Sequence, residues 1–138
     1  MGANAAGRDD TDVTKLGDAL ARAEFVVMLH WSLTMGLQSN IDPNEIGSLI
    51  WAFQHLRSRE FVDQERAGMG GFSVGDSLAM VAAADPRIRD HMVFINSFGA
   101  YYGAQDLFLQ IASGNSFYEG HQEPWGVDRL TRLVLPTR

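Results

Sequence analysis

Apolar residues recur at helical spacing near the start of the chain and then bunch together. Val13, Leu16, Leu20 and Ala23 fall three or four apart, which predicts a helix that Asp12 can cap. FVVMLHW (25–31) breaks that period with a continuous apolar run containing two valines, the pattern of a buried strand. Residues 32–42 mix Gly, Asn, Ser and Asp and read as a loop. Pro43 suits the first turn of a second helix. Ile46, Leu49, Ile50, Phe53 and Leu56 supply its apolar face.

A polar stretch, RSREFVDQER, follows, and AGMGGF (67–72) is a short glycine-rich strand candidate. Asp76 to Asp85 encloses LAMVAAA, a helix whose alanines let it lie close to a sheet. Pro86 ends it. HMVFINSF (91–98) is the third strand candidate. Gln105 to Ala112 reads as a fourth helix, Gly114 to Gly126 as a loop, and 127–134 as a last helix or extended tail. Helices and strands therefore alternate. That order predicts an α/β domain with a short, mostly parallel sheet and flanking helices.

Composition narrows the function classes. With 138 residues the chain supports one domain with a core of its own. The net charge is −6, which disfavours a nucleic-acid partner, because phosphate binding needs clustered Lys and Arg. Absence of cysteine removes disulfides, thiolate metal sites and a cysteine nucleophile together. No run approaches membrane-spanning length, and MGANAAGRDD has no apolar leader, so the expectation is a cytoplasmic protein without a membrane partner. His30, His55, His91 and His121 have no metal-ligand spacing, so neither a metal nor another cofactor is expected.

Gly71-Phe72-Ser73-Val74-Gly75 fits G-x-S-x-G, the pattern of a nucleophilic serine on a sharp strand-to-helix turn. Small residues two before and two after let strand and helix pack. The following helix aims backbone N–H groups at the place where an oxyanion forms. A dinucleotide-binding turn is the rival. There, however, the third glycine would fall at Ser73, and the acidic residue expected after the next strand is absent. No lysine follows the glycines, so a phosphate-binding P-loop does not fit either.

The stretch from Phe61 to Leu109 resembles the middle of an α/β-hydrolase of the dienelactone-hydrolase and esterase type. The residues that carry the likeness are a "VD..R.G" lead-in, GFSVG, an Ala-rich helix ending in ADPRI, and a strand leading to "FG.YY". The resemblance implies a partial three-layer hydrolase-like fold over residues 1–138, shortened relative to the family at both ends. It also implies Ser73 as nucleophile and the Val74 N–H as an oxyanion-hole donor. A second N–H would come from GANAAGRDD, at Ala3 or Asn4. The substrate class it implies is a small-molecule ester with a short acyl group.

Such a serine needs a histidine to carry its proton and an acid to orient it. His121, in the loop YEGHQEPW, is the candidate base, with Asp106 or Asp128 to orient it. His30 reads as a hydrogen-bonded core histidine, His55 as a surface residue, and His91 as lying at the end of the sheet away from Ser73. Asp76 reads as a helix cap. Tyr101, Tyr102, Phe117, Tyr118 and Trp125 are candidates to line an apolar pocket. A sheet this short leaves unpaired edges, which predicts a homodimer or larger. The alternative function is a catalytically inactive hydrolase relative that works by self-association or partner binding.

Overall fold

A computed structural model describes residues 7–38 and 40–129. The chain is mixed α/β, with a two-stranded parallel sheet, an antiparallel hairpin and five α-helices among the described residues. Helix α1 (Thr11–Arg22) starts two residues earlier than a cap at Asp12 implies. Its cap is Asp10, not Asp12: Asp10 Oδ1 accepts from the N–H groups of Asp12 at 2.9 Å and Val13 at 3.1 Å.

The run 25–31 forms no strand. It leaves α1 through a left-handed residue, Glu24 at φ 67°, and extends without a ladder partner. A strand exists by the backbone it pairs with. Instead residues 25–31 line a cavity of about 620 Å³ together with α1 and the glycine strand described below. Phe25 and Val26 are accordingly exposed.

Part of the expected 32–42 loop is a short helix, α2 (Leu33–Gln38). Ser32 caps it, its Oγ accepting from the Met35 N–H at 3.0 Å. Helix α3 (Glu45–Arg57) follows Asn44, so Pro43 lies just outside it rather than in its first turn. Ile50, Ala52 and Phe53 are its buried residues.

Strand β1 (Gly68–Phe72) leads directly into α4 (Val74–Ala83), and β2 (Phe94–Phe98) runs parallel beside β1 in the register Gly68↔Phe94 to Phe72↔Phe98. The strand-helix-strand crossover of the sequence reading is therefore present, with two strands instead of three. Ile50, Phe53, Ala67, Ala82 and Ile88 form the main core, which clamps α3 against α4. All five residues of β2 are exposed.

The turn after α4 is held by charge. Asp85 receives the Arg87 N–H and two contacts from its guanidinium, at 2.8 and 2.9 Å. The Arg87 side chain, then its backbone N–H, lowers the Asp85 carboxyl from 3.8 to about 2. A carboxyl depressed in the folded state stabilises it above the unfolded value and loses that contribution as pH falls toward the folded one. In an NMR titration Asp85 should show a midpoint near 2, and Arg87→Gln should return it toward 3.8. A wild-type midpoint at the ordinary value would refute the pairing.

Helix α5 (Ala104–Ser113) is followed by a hairpin where a loop was expected. Strands β3 (Asn115–Tyr118) and β4 (His121–Pro124) pair antiparallel across Glu119-Gly120. Both turn residues have positive φ, 48° and 82°, the geometry of a two-residue turn that matches strand twist. The pattern gave no warning, since NSFY and HQEP have neither a valine nor an isoleucine. Val127 and Ile111 pack together and seat the hairpin's exit against α5. Most of the expected final element, 127–134, lies outside the described residues.

Candidate active site

Ser73 stands alone between β1 and α4, with φ 53° and ψ −129°. That combination lies far from the left-handed helical basin, where ψ is near +47°, and L residues adopt it rarely. The surrounding chain holds it there. The Ser73 N–H donates to Phe98 O at 2.8 Å, across the end of the parallel ladder. Its carbonyl accepts from Asp76 N at 3.0 Å and Ser77 N at 3.2 Å, starting α4 two residues ahead of the expected Asp76.

Gly71 makes the turn sterically possible. A Cβ there would lie 2.4 Å from Asp76 Cα and 2.7 Å from Asp76 N. The helix backbone occupies the space a side chain would need. Ser73 is exposed at the tip, whereas Val74, Gly75 and Asp76 behind it are buried. As the first residue of α4, Val74 has an N–H without an intrahelical acceptor, at the positive end of the helix. The structure thus brings Ser73 and the Val74 N–H to one turn. Ala3 and Asn4 lie outside the described residues.

Asp76 does not cap its helix. Its side chain crosses to the neighbouring strand, where Oδ2 accepts from Ser97 Oγ at 2.6 Å and from the Ala100 N–H at 3.1 Å. Asp76 is wholly buried, and Oδ1 has no hydrogen-bond partner among the described residues. It locks the start of α4 to the end of β2, and with it the two sides of the Ser73 turn.

The histidines separate. His121 begins β4, exposed, its ring 5.9 Å from that of Tyr118. His55 is exposed and stacks on Trp51. His91 sits before β2, at the opposite end of the parallel pair from Ser73. His30 is half-buried, with Nε2 3.3 Å from Glu45 Oε2, which agrees with a hydrogen-bonded histidine. Asp106 is in the first turn of α5, and Asp128 follows the buried Val127. No hydrogen bond engages Ser73 Oγ among the described residues, so none of these histidines is joined to it.

Glu45 is a site the sequence reading missed. Besides His30, its Oε1 receives Ser32 Oγ at 2.5 Å and Thr34 Oγ1 at 3.1 Å. The cluster binds the 30–35 segment to the start of α3. His30, Trp31, Ser32, Glu45 and Gly75 share one small cleft, so this segment lies beside the first turn of α4. Nothing in the reading of 32–42 as a loop pointed to it. Glu45→Ala leaves a buried serine and a half-buried histidine without their acceptor, and should lower stability by about 2 kcal/mol. Glu45→Gln keeps an acceptor oxygen and should lose less than half of that. Equal denaturant midpoints for Glu45→Ala and wild type would rule this cluster out as a stabilising one.

Of the five aromatic residues expected to form a pocket, Tyr101, Tyr102 and Phe117 do line one cleft, of about 460 Å³, with Asp106 and Gln110. Tyr101 also packs against the buried cluster of Met35, Val74 and Leu78, and its N–H donates to Ser77 Oγ at 3.3 Å. Tyr101 thus fastens one side of the cleft to α4, one helical turn along from Ser73. Tyr118 and Trp125 do not line it: Tyr118 Oη donates to Glu123, and Trp125 packs on Ile111 and Val127.

Comparison with known protein families, with curated proteins and with solved structures finds no match. Among the described residues no group of three or more His, Asp or Glu is placed to hold a metal ion. No helix there is long and apolar enough to cross a membrane.

Proposed function

We propose that this chain is a serine hydrolase of the α/β-hydrolase type that cleaves small acyl esters through Ser73. The observation that carries the reading is the backbone of Ser73, at φ 53° and ψ −129° on an exposed strand-to-helix turn. A serine that only filled a turn would have no need of that conformation, and glycine would serve it better. In the proposed reaction Ser73 Oγ attacks the ester carbonyl, and the carbonyl oxygen gains negative charge facing the Val74 N–H. The Ser73 hydroxyl proton passes to the leaving alkoxide, which departs as the alcohol and leaves an acyl-serine; water then hydrolyses this to the acid and regenerates the serine hydroxyl.

The test is hydrolysis of short-chain p-nitrophenyl esters by the purified protein beside Ser73→Ala. Turnover lost in the variant supports the reading, and equal rates overturn it. The proton carrier is then found with His121→Ala and His30→Ala. Loss in the first assigns the base to the hairpin, and loss in the second assigns it to the Glu45 pair.

A second reading, an inactive relative that works by association, is favoured by two observations. Ser73 Oγ is unengaged among the described residues, and β2 is exposed throughout with Phe94, Ile95 and Phe98 on it. An exposed strand edge beside apolar side chains is a template for another chain. No hydrolysis, together with a dimeric or larger mass by light scattering, would favour this second reading.

A further inference from the structure

We propose that the cleft between α5, the hairpin and residues 101–103 binds an organic cation of quaternary-ammonium type, so that the esters taken by this protein carry such a group. The substrate part of this inference rests on the hydrolase reading; the binding part does not. Three aromatic residues, Tyr101, Tyr102 and Phe117, line the cleft together with one acidic residue, Asp106. No Lys, Arg or His lines it. Aromatic faces are negative, and a cation over them gains electrostatic attraction with little desolvation penalty when it is large and weakly hydrated. A small ammonium or a metal ion would keep its water and gain less. Asp106 adds a full charge of the right sign.

The lining of the cleft is also not that of a plain hydrocarbon site. Asp106 and Gln110 interrupt its apolar wall, and Gln110 Oε1 already accepts from the Phe117 N–H at 3.4 Å. Tyr102 is wholly exposed at the mouth of the cleft. Tyr101 is the link to chemistry, because its backbone is fastened to Ser77, one turn along α4 from Ser73. The chain's net charge of −6 draws cations toward it.

The probe is tetramethylammonium, titrated by NMR into the full chain, with tert-butanol as a neutral ligand of similar size. We expect millimolar binding of the cation, about tenfold weaker binding of the alcohol, and a similar loss for the cation in Asp106→Asn. Phe117→Leu, which keeps an apolar side chain in the hairpin, should weaken the cation several-fold and leave the alcohol unchanged. Equal binding of the two probes, no binding of either, or an Asp106→Asn variant that binds like wild type would overturn the site. Choline esters then separate the two claims. Cation binding without hydrolysis of any ester keeps the site and removes the hydrolase reading. Hydrolysis of neutral esters with no preference for choline esters keeps the hydrolase and removes the inferred substrate class.

Discussion

Replacing Ser73 with alanine is expected to abolish ester hydrolysis, by about 10⁴-fold or more, while the protein stays folded. Ser73 is exposed and its Oγ makes no hydrogen bond among the described residues, so its removal deletes the proposed nucleophile and no structural contact. Glycine at the same place should do something that alanine does not. It accepts φ 53° without penalty, so Ser73→Gly should be inactive and also more stable than Ser73→Ala, by about 1 kcal/mol. Activity assays beside chemical denaturation measure both effects. Retained turnover in Ser73→Ala removes the nucleophile, and a Ser73→Gly protein no more stable than Ser73→Ala removes the strain. A residue that lowers stability where it stands is hard to explain except by what it does there.

The second large effect belongs to Gly71. Gly71→Ala drives a Cβ to 2.4 Å from Asp76 Cα, and backbone rather than a flexible side chain is in the way. Strand β1 and helix α4 must then separate, which should destabilise the fold by about 3 kcal/mol and disturb the Ser73 turn with it. Gly47 provides the control. It lies in α3 with nothing within 4 Å of an added Cβ, so Gly47→Ala should stabilise by up to about 1 kcal/mol through helix propensity. The same chemical change is thus expected to act with opposite sign at two glycines. Similar denaturant midpoints for the two variants would show that the close approach at Gly71 does not constrain the turn.

These sites differ in how far sequence could reveal them. The turn around Ser73 was legible because its chemistry is local: small residues at fixed offsets, a short strand before and an alanine-rich helix after. Helix α3 was legible from the spacing of Ile46, Ile50 and Phe53. The 25–31 run misled, because apolar composition records a tendency to be buried and not the presence of a neighbour to pair with. The hairpin was hidden for the converse reason. Its order comes from the positive φ angles of Glu119 and Gly120 and from packing on Ile111, and its strands contain few residues of high strand propensity. Glu45 and Asp76 were misread or missed for one reason. A carboxylate that joins segments 11 to 24 positions apart looks, in sequence, like any other acidic residue in a first helical turn.

The bond from the Ser73 N–H to Phe98 O has a bearing on when the protein acquires its geometry. A parallel pair cannot zip from a tight turn; its second strand arrives only after the intervening helix has been made and laid down. Until residues 97–100 reach the end of β1, Asp76 has neither Ser97 nor the Ala100 N–H to bind, and of the bonds that hold Ser73 only those from the start of α4 to its carbonyl can form. Emergence of the first 80 or so residues from a ribosome would therefore produce the serine but not the elbow. The full set of bonds around the unusual torsion is thus complete only on long-range closure, when Phe98 O reaches the Ser73 N–H.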